Sequence, residues 1–147
     1  MKDTANQIKS KFGVISSLEA GSTTTDGVSV STSPIEKTGF SSAKLSIGYT
    51  TTLTSAKTLK LTSVTISDST DNSIWSTPVA IASDVLLGTG ISGGGTVSDV
   101  FELALKDFRQ YDKYVKFAFI PELDASASDT ATYNVNLILC DSDSVPV

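Results

Sequence analysis

Few residues in this 147-residue chain have the types and spacing that chemistry needs. There is no histidine, which removes the commonest general base at neutral pH. Gly88, Gly90 and Gly93 match G-x-G-x-x-G after an apolar run. A dinucleotide site would also need a helix opening on the third glycine and an acid some way on, inside a βαβ unit. Asp112 lies near the required distance, but the flanking segments read as strands, and the glycine run continues through Gly94 and Gly95 as a loop does. The acids group as Asp68 and Asp71 with Asn72, as Asp124 with Asp129, and as Asp141 with Asp143. None follows the calcium-loop pattern, so they read as solvated turn acids. Cys140 ends an apolar strand beside acids, which raise a thiol pKa, and reads as a buried structural cysteine. Nothing places two carboxylates in a cleft for glycoside chemistry. The expectation is a protein that is not an enzyme and holds no cofactor or metal.

What remains is binding. Arg109 is the only arginine and lies in a turn between strands, where its planar fork can clamp carboxylates or carbonyls of a neighbour. Phe108 and Tyr111 flank it. Trp75, the only tryptophan, is either an end plug of the fold or an aromatic platform. Lys9, Lys11 and Phe12 lie in a first segment that fits neither a clean strand nor a full helix. Lys9, Lys11, Phe12, Trp75, Phe108, Arg109 and Tyr111 are therefore the candidate interface residues.

The net charge of −5, with one arginine, argues against nucleic acid, because phosphate neutralisation needs clustered bases. No stretch approaches the roughly 20 apolar residues of a membrane helix. Met1 to Ala20 lacks the continuous apolar run of a secretory signal, so the expectation is a soluble protein made in a cytoplasm.

These residues need elements to hold them, and apolar alternation supplies them. Residues 1–22 are expected to form an extended arm, with one short helical turn allowed, and 23–147 a single domain. Val28 and Val30 begin a short strand stopped near Pro34. Ala43, Leu45, Ile47 and Tyr49 share one face of a strand from Phe40 to Leu53. In Leu59 to Ile66 the phase slips, and a one-residue bulge near Ser63 would return Val64 and Ile66 to the side of Leu59 and Leu61. Val79, Ile81, Val85 and Leu87 mark the next strand. Thr96 to Leu105 fits a strand through Val97, Phe101, Leu103 and Leu105, and also a helix with Thr96 and Asp99 spaced as a capping box. Strand is preferred because its neighbours are strands. Val115, Phe117 and Phe119 alternate with Tyr114, Lys116 and Ala118 after a turn at Asp107 to Gln110. Tyr133, Val135, Leu137 and Leu139 alternate with Asn134, Asn136 and Ile138. Seven or eight strands with frequent turns predict an all-β chain, a β-sandwich of jelly-roll type with an extended N-terminal arm.

The run from Asp107 through Phe117, followed by Tyr133 to Leu139, resembles the small head decoration (cement) proteins of tailed bacteriophages. Those share a loop with Arg and an aromatic feeding a strand, then a polar loop and a final alternating strand. The resemblance implies a jelly-roll-like domain, commonly trimeric, on the outside of a capsid, bridging major capsid subunits. It also implies a protein of the virion exterior, synthesised in the host cytoplasm. Long Gly-rich and Ser/Thr-rich loops depart from that pattern. The alternative is a carbohydrate-binding or adhesin-type sandwich using Trp75 and nearby tyrosines.

Overall fold

A computed structural model describes residues 12–23, 28–105, 107–124 and 128–142. Its strands are β1 (Phe12–Thr23), β2 (Val30–Ser31), β3 (Ile35–Glu36), β4 (Phe40–Leu53), β5 (Thr58–Ser69), β6 (Val79–Thr89), β7 (Gly95–Leu105), β8 (Tyr114–Leu123) and β9 (Thr130–Ser142). A single 3-10 turn, Phe108–Gln110, is the helical structure among the described residues. One sheet has the order β1-β9-β4-β7; the other has β2-β8-β5-β6, with β3 also on β8. Every pairing is antiparallel.

β2 and β3 act as one interrupted edge strand. Between them the Thr32 backbone N–H donates to the Phe117 carbonyl at 2.8 Å, and the Phe117 N–H donates to the Thr32 hydroxyl at 3.0 Å. Pro34, which has no N–H to give a ladder, sits where the pairing breaks. Counted this way the described residues form eight strands in two four-stranded sheets. After the β5–β6 pair it passes alternately between them, which is the jelly-roll winding expected from the sequence.

Alternation places the core as the sequence implied. Leu45, Ile47 and Tyr49 of β4, Val115, Phe117 and Phe119 of β8, and Tyr133, Val135, Leu137 and Leu139 of β9 turn buried side chains between the sheets. Phe119 meets Tyr133 edge to face at 5.0 Å, a preferred aromatic geometry. The phase slip in β5 is resolved by a bulge: Leu61 opposes Pro121 while Ser63 opposes Ile120, so Thr62 is the extra residue. Leu59, Leu61, Val64 and Ile66 are all buried as a result. Residues 95–105 are a strand, with Val97, Phe101 and Leu103 half-buried and Asp99 exposed.

The abundant hydroxyls have two uses. On the outer face they bond across strands, Thr50 to Ser98 at 2.8 Å and Thr52 to Thr96 at 3.0 Å. Inside, the buried Thr51 hydroxyl donates to the Thr130 carbonyl at 2.8 Å.

The arm expected over residues 1–22 has a different place from Phe12 onward. That part is extended, but it is β1, paired with β9 from Phe12 opposite Cys140 to Thr23 opposite Ala131. An edge strand satisfies backbone groups that a detached arm would leave to water. Lys9 and Lys11 lie outside the described residues.

Candidate interaction surface

The predicted interface residues come from three places in the chain, and the fold gathers several of them at one end of the sandwich. There β3 ends, β5 leads into the 70–78 loop, and the 107–112 turn enters β8. Asp107 opens that turn in the left-handed region, φ 55° and ψ 37°, a conformation that Asp tolerates better than most residues. The turn drives Phe108 inward, where it has no exposed surface. Tyr111 packs its ring against Phe108 edge-on at 6.0 Å and is half-buried. Arg109 is exposed.

Asp68, at the end of β5, ties this end together. Its carboxylate accepts the Ser76 hydroxyl in a short hydrogen bond and the Asp112 backbone N–H at 2.8 Å. The Ser76 N–H returns to the Asp68 carbonyl at 2.9 Å. Burial pushes the Asp68 pKa up, but the hydrogen bonds from Ser76 and the Asp112 and Asp68 N–H groups, with the Lys37 charge, leave it below the ordinary aspartate value. Burial, then the Asp68 charge, raises the Tyr111 pKa. Lys37, only 7% exposed, lays its ammonium 5.1 Å above the Phe108 ring.

Because the folded Asp68 is more acidic than the unfolded one, its contribution is complete above the ordinary aspartate pKa of about 3.9 and fades as pH falls through its lower folded value. Asp68→Asn should therefore be less stable than the parent near neutral pH, with the gap closing in acid. Urea midpoints measured across that range check this, and a gap that stays constant would remove Asp68 from the acid response.

Asp71 shapes the next loop: it accepts the Ser73 and Ile74 N–H groups at 2.9 and 3.0 Å. Those two backbone bonds, first among the causes, hold its pKa far below the usual carboxylate range. The loop holds Ile74 outward, 78% exposed, and Trp75 half-buried with the Lys116 ammonium 4.2 Å over its ring. Trp75 is thus not the end plug that one reading of the sequence favoured; one ring face is covered by a lysine on the outside of β8.

Three expectations change here. Phe108 cannot meet a partner, because a ring with no exposed area is already fully packed; the fold itself explains the loop that carries it. Cys140 is half-exposed, since it alternates with the inward Leu139 on β9 and so points outward. Asp129 is not a solvated turn acid: it is 2% exposed, and its Oδ1 accepts the Thr54 N–H at 3.0 Å and hydroxyl at 2.7 Å. Asp124 similarly fastens the Thr58 N–H and hydroxyl, at 3.1 and 2.7 Å. The side chain of Phe12 is outside what the structure describes.

The glycine fingerprint opens no helix; the chain passes from Gly94 straight into β7. Among the described residues there is no group of three or more His, Cys, Asp or Glu placed to hold a metal. Ile74 is the exposed apolar residue of this end that the sequence analysis did not single out. Its position between Ser73 and Trp75 after a polar turn was the available signal, since an isoleucine there continues no alternating face.

No protein-family model matches the chain, and no curated protein matches it. Solved structures do share its fold. The VP2 subviral particle of infectious bursal disease virus superposes on 90% of this chain with a TM-score of 0.54 at 15% identity. T=1 particles derived from the same virus give 0.54 at 14% identity, again over 90% of the chain. This chain spans 33% and 32% of the lengths of those two chains. At that identity the likeness is one of fold.

Proposed function

We propose that this protein is a structural component of a virus particle, a jelly-roll module that decorates the outside of a tailed-bacteriophage capsid and bridges neighbouring major capsid subunits. The observation that carries the reading is the strand order, two four-stranded sheets wound as a jelly roll, shared over 90% of the chain with proteins whose structures are of viral particles. The resemblance of the Asp107–Phe117 run and the β9 strand to head decoration proteins gives the finer assignment. Trp75, Arg109, Tyr111 and the exposed Ile74 at one end are the residues assigned to the shell, and Lys9, Lys11 and Phe12 to contacts with neighbouring copies in a homotrimer. No cofactor, nucleic acid or membrane enters the scheme.

Physically, such a module works by linkage. A protein that binds only the assembled lattice stabilises that lattice by RT ln(1 + [L]/Kd), about 2.7 kcal/mol at a hundredfold excess over Kd. Truncating a central Trp or Arg at an interface commonly costs about 2 kcal/mol or more of binding. Sedimentation with purified phage shells lacking their decoration protein tests the reading. The chain should pellet with shells and raise their heat resistance. Arg109→Ala and Trp75→Ala should each weaken pelleting roughly tenfold or more, at about 1.4 kcal/mol per decade. A chain that leaves shells untouched but binds a glycan array, and loses that binding on Trp75→Ala, would establish the carbohydrate-binding alternative instead.

A further inference from the structure

The two edge strands on one side of the sandwich differ in a way that concerns partners. β6 is an irregular edge, with two register shifts against β5 and Asp84 at φ 51°. Bulges of this kind keep foreign strands from pairing. β7 has no such protection. It pairs with β4 through eleven consecutive residues, Ala43 opposite Leu105 to Leu53 opposite Gly95, without a shift, and among the described residues it ends its sheet with a row of backbone groups facing no further strand. It contains no proline and no lysine.

What β7 does carry is selective. Val97, Phe101 and Leu103 line its inward side half-buried, and Val100 on the outward side is 53% exposed. Asp99 opposes the inward Tyr49, so a carboxylate stands on the core side of the edge, where it accepts the Val100 N–H at 2.8 Å. An inward charge repels an ordinary apolar strand. A strand that brings an ammonium group meets that charge and draws the carboxylate to itself. β6 and β7 together hold Asp84, Asp99 and Glu102 and no Lys or Arg.

We propose that the free edge of β7 takes an extended, lysine-bearing strand, and that this strand is residues 1–11 of a second copy of the chain. This rests on the self-association part of the function proposed above, not on the shell. The charge is complementary: residues 1–11 hold Lys2, Lys9 and Lys11 against Asp3, and Lys9 and Lys11 alternate with Ile8, Ser10 and Phe12 as strand faces do. Direction favours a second copy. β1 leaves from the far edge of the same sheet, with β9 and β4 between it and β7. Folded back along its own β7, the segment would run parallel to it, because β1 is antiparallel to β9 and β9 and β7 are both antiparallel to β4. On another copy it can run antiparallel, like every other pair in the fold and in the slightly more stable arrangement. Main-chain bonds then supply affinity, and the Lys–Asp99 pair supplies the choice of strand.

Charge exchange in the full-length chain tests this. Sedimentation velocity should show concentration-dependent self-association that weakens with added salt. Lys9→Glu with Lys11→Glu, and separately Asp99→Lys, should each weaken it about tenfold or more. An equimolar mixture of the two variants should recover it, since each then offers the other a matched strand and edge. Circular dichroism and melting confirm that the variants fold; if Asp99→Lys does not, Asp99→Asn replaces it for the weakening alone, and the mixture is not read. A parent that stays monomeric, variants that associate like the parent, or a mixture that fails to recover would each overturn the proposal. Shell sedimentation on the same proteins keeps the two ideas apart. Shell binding by a monomer sinks this inference together with the homotrimer it rests on and leaves the shell reading standing, and self-association without shell binding sinks the shell reading alone.

Discussion

Replacing Phe108 with alanine is expected to lower folding stability by about 3–5 kcal/mol, the range for truncating a buried phenylalanine. The ring has no exposed surface, and its environment is specific as well as apolar. Tyr111 lies against it edge-on at 6.0 Å, and the Lys37 ammonium sits 5.1 Å above its face. Truncation therefore removes packing, an aromatic pair and the cover of a nearly buried cation together. The 107–112 turn should loosen with it, because the Phe108 ring anchors the start of the turn in the core while the Asp68 carboxylate holds only its far end, at Asp112. Arg109→Ala, one residue on, should leave stability within about 0.5 kcal/mol, as exposed substitutions do. Urea denaturation of the two variants decides the matter. A loss below about 1 kcal/mol at Phe108 would mean that the site collapses without a cavity and that the turn is anchored elsewhere.

That contrast within one short run also shows what the sequence could and could not say. Phe108, Arg109 and Tyr111 look alike as turn residues, and no periodicity separates them, because a 3-10 turn is too short to express one. Their fates are set by where the turn meets β4, a contact between segments far apart in the chain. The alternating strands were legible because a half-buried strand must repeat every two residues, and β4, β8 and β9 do so without a break. The bulge in β5 was legible for the same reason, since only an inserted residue could reconcile Leu61 with Val64. β7 was ambiguous because Asp99 occupies an inward position. An inward charge is tolerated only at an edge, and strand order is a global property that local pattern does not carry.

The site was harder to read for a related reason. The Asp68 cluster joins β5, the 70–78 loop and the 107–112 turn through backbone donors, and backbone donors have no signature in side-chain identity. Asp129 read as a surface acid because acids in polar loops usually are. Its burial follows from a bond to Thr54, 75 residues away. Cys140 read as core because its neighbours Leu137 and Leu139 are, yet strict alternation put it on the other face.

Gly90→Ala is expected to be the other severe change, lowering stability by about 3 kcal/mol, the upper range for overpacking. A Cβ at Gly90 would lie 2.0 Å from the Thr54 carbonyl oxygen and 2.9 Å from its carbon. Neither is a side-chain end that can swing aside. The same residue is fastened on both sides to the β4–β5 turn: its N–H donates to the Lys57 carbonyl at 2.7 Å, and its carbonyl accepts the Ala56 N–H at 3.0 Å. Relief of the clash must therefore break the pair of bonds that joins the 90–94 turn to residues 54–57. Gly93 and Gly48 serve as internal standards. Gly93 sits at φ +84° with nothing within 4 Å of an added Cβ, so its alanine variant should lose only the left-handed backbone preference, about 1 kcal/mol. Gly48 lies in β4 with its nearest neighbour at 3.8 Å, so alanine there should be neutral or stabilise by up to about 1 kcal/mol. Melting of the three variants should rank them Gly90, Gly93, Gly48 from most to least damaging. If Gly90→Ala melts with Gly93→Ala, the G-x-G-x-x-G spacing here serves turn flexibility alone. If it melts far below, the first residue of that loop is a glycine because the backbone of the β4–β5 turn already fills the place of its side chain.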